Sequence, residues 1–451
     1  MNGQPMQRYL CTPDYEGYFD FFSNIIVLSI YDSKHKEEIL GAIQPQNGTT
    51  ELSERQVEIR ALLKHEITHF LDMTTTAWGC QYILRKLRTI KYLEEKGSEY
   101  EDAQKVFMLE TSEIEMHTEL LSTTDVPPMD CETLHHTLRY TTQFGAVLIV
   151  CYFRNDVCQH QVPLSMLSLL EANATASEYL SRISDTESLE DNALRILRLE
   201  DIERSFSALL NDPARLEYSV LLNLARVHFP ELALRDLLIY VAALCRFSLD
   251  ATDFGMAAMA NIIEPSTLNQ RLGNALAMEL RRAANRPLLF FKTVLFTYGW
   301  MQEMGEENRS GYLELVRTNP KQAIRSLWID YLEVGEDTLD LEREFTVPMK
   351  QAWIDELNVL GDAEIFKRSF ASNAPKLNET SVGLLNFQEI TAINIILGDD
   401  TEIEMPNRID LGVVEYFDNH MKTFARLDAM YREQPHERFH IPLDAPGYLI
   451  R

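Results

Sequence analysis

The sequence predicts an α+β chain that is mostly helical, and three observations carry that prediction. The run Asn24 to Tyr31, "NIIVLSIY", has the β-branched, apolar composition of a strand. Two more apolar runs, "QFGAVLIVCYF" and "VCQHQVPL", flank Arg154 to Asp156 and read as two strands joined by a short turn. Beyond about residue 192 the pattern is helical and is punctuated by prolines. At 451 residues, 45% of them hydrophobic, the chain can fill two or three domain cores. The change in character sets a boundary near residue 200. Residues 1–200 are expected to form a mixed domain with a small sheet and residues 201–451 a large all-helical one, with a further break at 375–405.

Taken in order, the first strand leads into the turn-rich "QPQNGTTELS", where Ser53 and Gln56 have the spacing of a capping box. The helix they would start carries "ALLKHEITHFLDMTTTAWG", Ala61 to Gly79. Helical character continues from Thr75 to about Leu121, interrupted near Gly97, with charged residues that suggest partly solvated faces. After the hairpin, Pro163 suits the first turn of a helix over "LSMLSLLEANATASEYLSRI". Breaks are then expected near Asn211 to Pro213 and at Pro230, Pro265, Pro287, Pro320, Pro348 and Pro375. The acidic "GDDTEIEMP", Gly398 to Pro406, reads as a loop or a short edge strand.

Charge narrows the function classes. With 42 Lys plus Arg against 69 Asp plus Glu, the net charge of -27 opposes electrostatic binding to nucleic acid or to an anionic membrane surface. The opening "MNGQPMQRYLCTPDYEGY" lacks the pattern of a secretory signal, and the longest apolar runs are about ten residues, half of a spanning helix. A cytoplasmic protein is the expectation. Six cysteines without a CxxC pair are expected as reduced thiols. Phosphate-loop, dinucleotide and serine-nucleophile motifs are absent from the sequence.

The residues that carry chemistry are His65, Glu66 and His69. On a helix His69 lies one turn from His65 and about 40° round from it, so both imidazoles share a face and can bind one zinc ion. Glu66 is offset from that pair and can take a proton from a water activated by the metal. Ile59, Leu63, Ile67 and Phe70 form an apolar stripe, with the histidines on a neighbouring face beside Leu62 and Asp72. A chance HExxH in a chain of this composition is expected roughly 2% of the time. The motif resembles that of the zincin metallopeptidases. The residues after His69, "FLDMTT", lack the glycine and third histidine of metzincins. Asp72, seven residues from His65, returns to the same face and either orients a ligand imidazole or ends the helix.

A catalytic zinc wants a third protein ligand. Glu94 and Glu95 have a short gluzincin-like spacing but sit in a solvated stretch, and Glu113, Glu115, His117 and Glu119 read as a charged helix surface. Glu171 lies among Leu164, Leu167, Ala172, Ala174 and Ala176, where a carboxylate is costly unless it is paired or binds a cation. It is the expected third ligand. Glu178, on the same face seven residues on, is the alternative ligand or a second carboxylate orienting the site. That set resembles gluzincins with a long insertion. Tyr140, Tyr152, His160, Tyr179 and Arg182 could stabilise an oxyanion, with nothing to single one out.

The resemblance implies a zinc metallopeptidase acting on a protein or peptide substrate, and the lack of a secretory signal and the large extra domain favour a regulatory switch that cleaves one intracellular protein over a digestive enzyme. The competing expectation is a non-catalytic helical scaffold whose HExxH helix is degenerate or structural.

Overall fold

In the computed structural model, which describes residues 16–44, 52–95, 116–141, 144–267, 269–282, 285–335, 348–357 and 364–432, a tight hairpin pairs β1 (Tyr18–Asp20) with β2 (Ile25–Leu28). The expected strand is present, shorter at both ends. Its turn is set by Asp20, whose carboxylate accepts from the Ser23 amide and hydroxyl, and by Asn24, held at a φ of 62° that asparagine tolerates. Helices α1 (Lys36–Ile43), α2 (Glu54–Thr75) and α3 (Ala77–Glu95) follow.

Next comes an antiparallel sheet in the order β3-β4-β5, built from β3 (Thr133–Thr141), β4 (Gly145–Arg154) and β5 (Val157–Pro163). Asn155 and Asp156 sit at φ of 51° and 60° between β4 and β5, the left-handed pair that a two-residue hairpin turn requires. β3 is a strand the sequence did not announce, because "TLHHTLRYT" has no apolar run. Pro163 closes β5 instead of opening a helix. The helix starts at Met166, after Ser165, whose hydroxyl takes the Ser168 amide.

The remaining chain is mostly helix: α4 (Met166–Glu187), α5 (Asn192–Leu210), α6 (Leu216–His228), α7 (Leu234–Asp250), α8 (Asp253–Ser266), α9 (Gln270–Arg281), α10 (Pro287–Glu303), α11 (Glu306–Thr318), α12 (Pro320–Ser326) and α13 (Glu364–Leu377). Pro287 and Pro320 occupy first turns, where the missing N–H costs nothing. Pro265 and Pro375 lie inside α8 and α13, close to their C-terminal ends, and do not break them. The region beyond 201 is not all-helical. β6 (Thr391–Ala392), β7 (Ile395–Leu397), β8 (Glu402–Ile403) and β9 (Asn407–Arg408) precede α14 (Val413–Arg432).

Two compact units divide the described residues: those within Met1–Thr111, Ala174–Ile202 and Met349–Pro435 form one, and those within Ser112–Asn173 and Glu203–Pro348 the other. Both are discontinuous in sequence. One switch follows Ile202, and residues 349–435 group with the N-terminal segment. The reason is visible in the first unit's sheet, ordered β1-β2-β7-β8, in which β7 pairs parallel with β2 through Val27 and Ile396.

In the first unit α2 is a core helix. The expected capping box forms, with Ser53 accepting from the Gln56 amide and the Gln56 side chain answering the Ser53 amide. From Leu63 to Thr75 every residue but His65 is buried, so the stripe of Ile59, Leu63, Ile67 and Phe70 is part of a helix enclosed on all sides. Lys64 is buried too and donates to the carbonyls of Val382 and Leu385, with its ammonium 4.6 Å from the Phe387 ring centroid. At the helix end, Thr74, Thr75 and Thr76 turn their hydroxyls back to the carbonyls of Phe70, Leu71 and Asp72. α3 is also mostly buried, so the partly solvated face expected there is not found along most of it: Lys86 donates to the Phe22 carbonyl and Arg88 pairs with Glu356.

In the second unit the sheet is joined by α6 to α12. The buried guanidinium of Arg286 donates to the carbonyls of Ser248, Leu249 and Ala251 and so closes the C-terminal end of α7. Cys80, Cys131, Cys151, Cys158 and Cys245 are free thiols, and Cys11 lies outside the described residues. Among the described residues no helix is long and apolar enough to cross a membrane.

Candidate metal centre

α2 presents His65 and His69 one turn apart, their ring centroids 5.1 Å from each other. α4 carries Glu171 near its start and Glu178 two turns later on the same face. These helices bring His65, His69 and Glu171 together: one ligand atom from each lies within 4.8 Å of the others, the arrangement a metal ion needs. Among the described residues this is the one such group of three.

The surroundings favour the ligating form of each imidazole. His65 Nδ1 is 3.2 Å from Glu178 Oε2, and the other oxygen of Glu178 accepts from Arg182 Nη2 at 2.7 Å. A neutral His65 whose Nδ1–H donates to this carboxylate keeps the Nε2 lone pair for a metal. Glu178 therefore stands behind His65, outside the group of three. His69 is buried against the hairpin: the Phe19 ring stacks on it at 6.4 Å and Phe21 approaches at 5.5 Å. Burial, then the neighbouring His65, hold His69 well below the usual imidazole range, so it is neutral at pH 7.

Glu66 is buried on α2, next to His65. Asp72 is also buried, and because α2 runs on to Thr75 it does not terminate the helix. Of the weaker candidates, the side chains of Glu94 and Glu95 and the whole of Glu113 and Glu115 lie outside the described residues. His117 is buried with its Nε2 2.5 Å from Ser165 Oγ, and Glu119 is exposed. Neither joins the group.

The oxyanion candidates separate as well. His160 is taken up by Thr124 and Val126 in a structural contact, and Tyr152 packs against it in the sheet. Arg182 is committed to Glu178 and lies over the Tyr179 ring. The Tyr140 side chain is outside the described residues.

Sequence reasoning missed Phe19 and Phe21, which reach His69 from a strand and turn far off in sequence, and Glu217 on α6. The Glu217 carboxyl is raised, first by burial and also by the nearby charge of Glu171. No local pattern marks these residues, since their role comes from tertiary contact.

Two imidazoles and a carboxylate form a borderline donor set that suits a divalent transition metal and is typical of zinc sites with an open position. No protein-family model, no curated protein and no solved structure matches this chain.

Proposed function

We propose that the chain is a zinc-dependent metallopeptidase, with His65, His69 and Glu171 as ligands and Glu66 as general base. The observation that carries the reading is the convergence within 4.8 Å of three side chains drawn from two helices well separated in sequence. A zinc ion held there would supply Lewis-acid polarisation of a carbonyl and a water acidic enough to lose its proton near neutral pH. Glu66, buried beside His65, would accept a proton from a water in the site and return it to the leaving amine. Glu178 and Arg182 fix the tautomer and orientation of His65, and Phe19 and Phe21 keep solvent from His69. The substrate on this reading is a protein or peptide.

Burial of Glu66, His69 and Glu171 also suits a second reading, a structural ion that ties α2 to α4 in a non-catalytic scaffold. One comparison separates the two. Wild type and Glu66→Gln are incubated with a mixture of denatured proteins, and new N-termini are counted by mass spectrometry. The peptidase reading expects new termini with wild type and a loss of at least about 100-fold in Glu66→Gln at unchanged metal content. Equal, background counts with both proteins would leave the structural ion.

A further inference from the structure

Away from the metal centre, the second unit contains a cavity of about 920 Å³ that wraps the β3 edge of the β3-β4-β5 sheet and is lined by residues of both its faces. Its walls are mainly apolar, with Leu138, Cys151 and Phe153 from the sheet and Leu272 from α9. Two cations line it, Arg139 from β3 and Lys292 from α10, and among the described residues the lining holds no carboxylate. That size and that lining, an apolar wall with a few polar groups, are usual for a small-molecule site.

Lys292 is the unusual part. It is only 5% exposed, yet among the described residues its ammonium has a single long hydrogen bond, 3.5 Å to Thr267 Oγ1, and a distant ring, Phe296 at 5.9 Å. An ammonium has three donors, and a buried charge without a counter-ion is costly. Burial lowers Lys292 only to about 8, so it is still mostly charged at neutral pH. His136 beside it is pushed down to about 4, by burial first and then by Lys292, and adds no charge. Arg139 spends one N–H on Gln161 Oε1 at 2.5 Å and has no carboxylate partner among the described residues. In a chain with 69 acidic residues, two lining cations without acidic partners among the described residues are not for want of acids.

We propose that this cavity binds a small organic anion, its carboxylate or phosphate head on Lys292 and its apolar body against Leu138 and Leu272, with Arg139 as a second cation across the β3 edge. The site is independent of the metal centre. The test is calorimetric titration of the full chain with decanoate, decyl phosphate and the neutral decanol, on wild type, His69→Ala, Lys292→Met and Arg139→Gln. Wild type is expected to bind at least one anion tenfold or more tighter than decanol, with the preferred anion naming the head group. His69→Ala should keep that binding, and Lys292→Met and Arg139→Gln should each weaken it at least tenfold. Should Lys292→Met not fold, the Arg139→Gln result decides. No anion binding to wild type, binding equal to that of decanol, or loss in His69→Ala with retention in the cation variants would overturn the proposal.

Discussion

His65 and Glu178 show how the site is tuned one contact outside the ligands. The carboxylate accepts from His65 Nδ1 and is itself held by Arg182. Glu178→Gln is therefore expected to leave the ligand set intact and weaken zinc about 10- to 100-fold, measured by competition with a chromophoric chelator. The motif was legible because helical spacing alone puts residues i and i+4 on one face, and Glu171 was legible as a carboxylate stranded among leucines and alanines. Glu217 and the two phenylalanines were not, since nothing in their neighbourhoods refers to α2. Buried neutral imidazoles also give a pH signature away from the site. Burial, the largest cause in each, lowers His117, His136 and His420 to about 4 from an ordinary 6.5. Between those values the unfolded chain binds more protons than the folded one, so stability is complete above about 6.5 and lost as pH falls towards 4. Urea midpoints measured across that window should decline steadily, and a flat profile would contradict neutral burial.

Among the elements, α2 and α3 meet at a junction that only glycine fits. A Cβ on Gly79 would stand 2.1 Å from the Met73 carbonyl oxygen and 2.5 Å from that of Asp72, both backbone atoms at the end of the histidine helix. Gly79→Ala should cost about 1–3 kcal/mol in urea unfolding, as overpacking does, and should lower zinc affinity with it. The same stretch, "TTTAWG", shows what local sequence could and could not say. The capping box at the front of α2 was readable from Ser53 and Gln56. The end was not, because it rests on threonine hydroxyls returning to their own helix and on Gly79 packing against it. The β4-β5 hairpin announced itself through two apolar runs about a short polar turn. β3 escaped, since an edge strand carrying His135, His136 and Arg139 has no such run. β7 lay in a stretch expected as a break, and its parallel pairing with β2, through Val27 and Ile396, joins opposite ends of the chain and leaves no local signal.

At the level of the molecule, both units are assembled from segments distant in sequence. An ion bound by the folded state alone stabilises it by mass action, about 2.7 kcal/mol at free metal 100-fold above its dissociation constant. Removing metal with a chelator should therefore lower the thermal midpoint of wild type and leave that of His69→Ala unchanged. Scanning calorimetry with and without chelator reads this directly. The mostly helical α+β class was legible from periodicity and proline placement, whereas the discontinuous units were not, because the contacts that define them are long-range. The most direct test of the central claim is zinc content by plasma mass spectrometry, on wild type purified without chelator and on His69→Ala, Glu171→Ala and Glu178→Ala. A site of two imidazoles and one carboxylate predicts about one zinc per chain in wild type, none in His69→Ala or Glu171→Ala, and weakened but measurable zinc in Glu178→Ala. No zinc in wild type, even after it is added back, would contradict it.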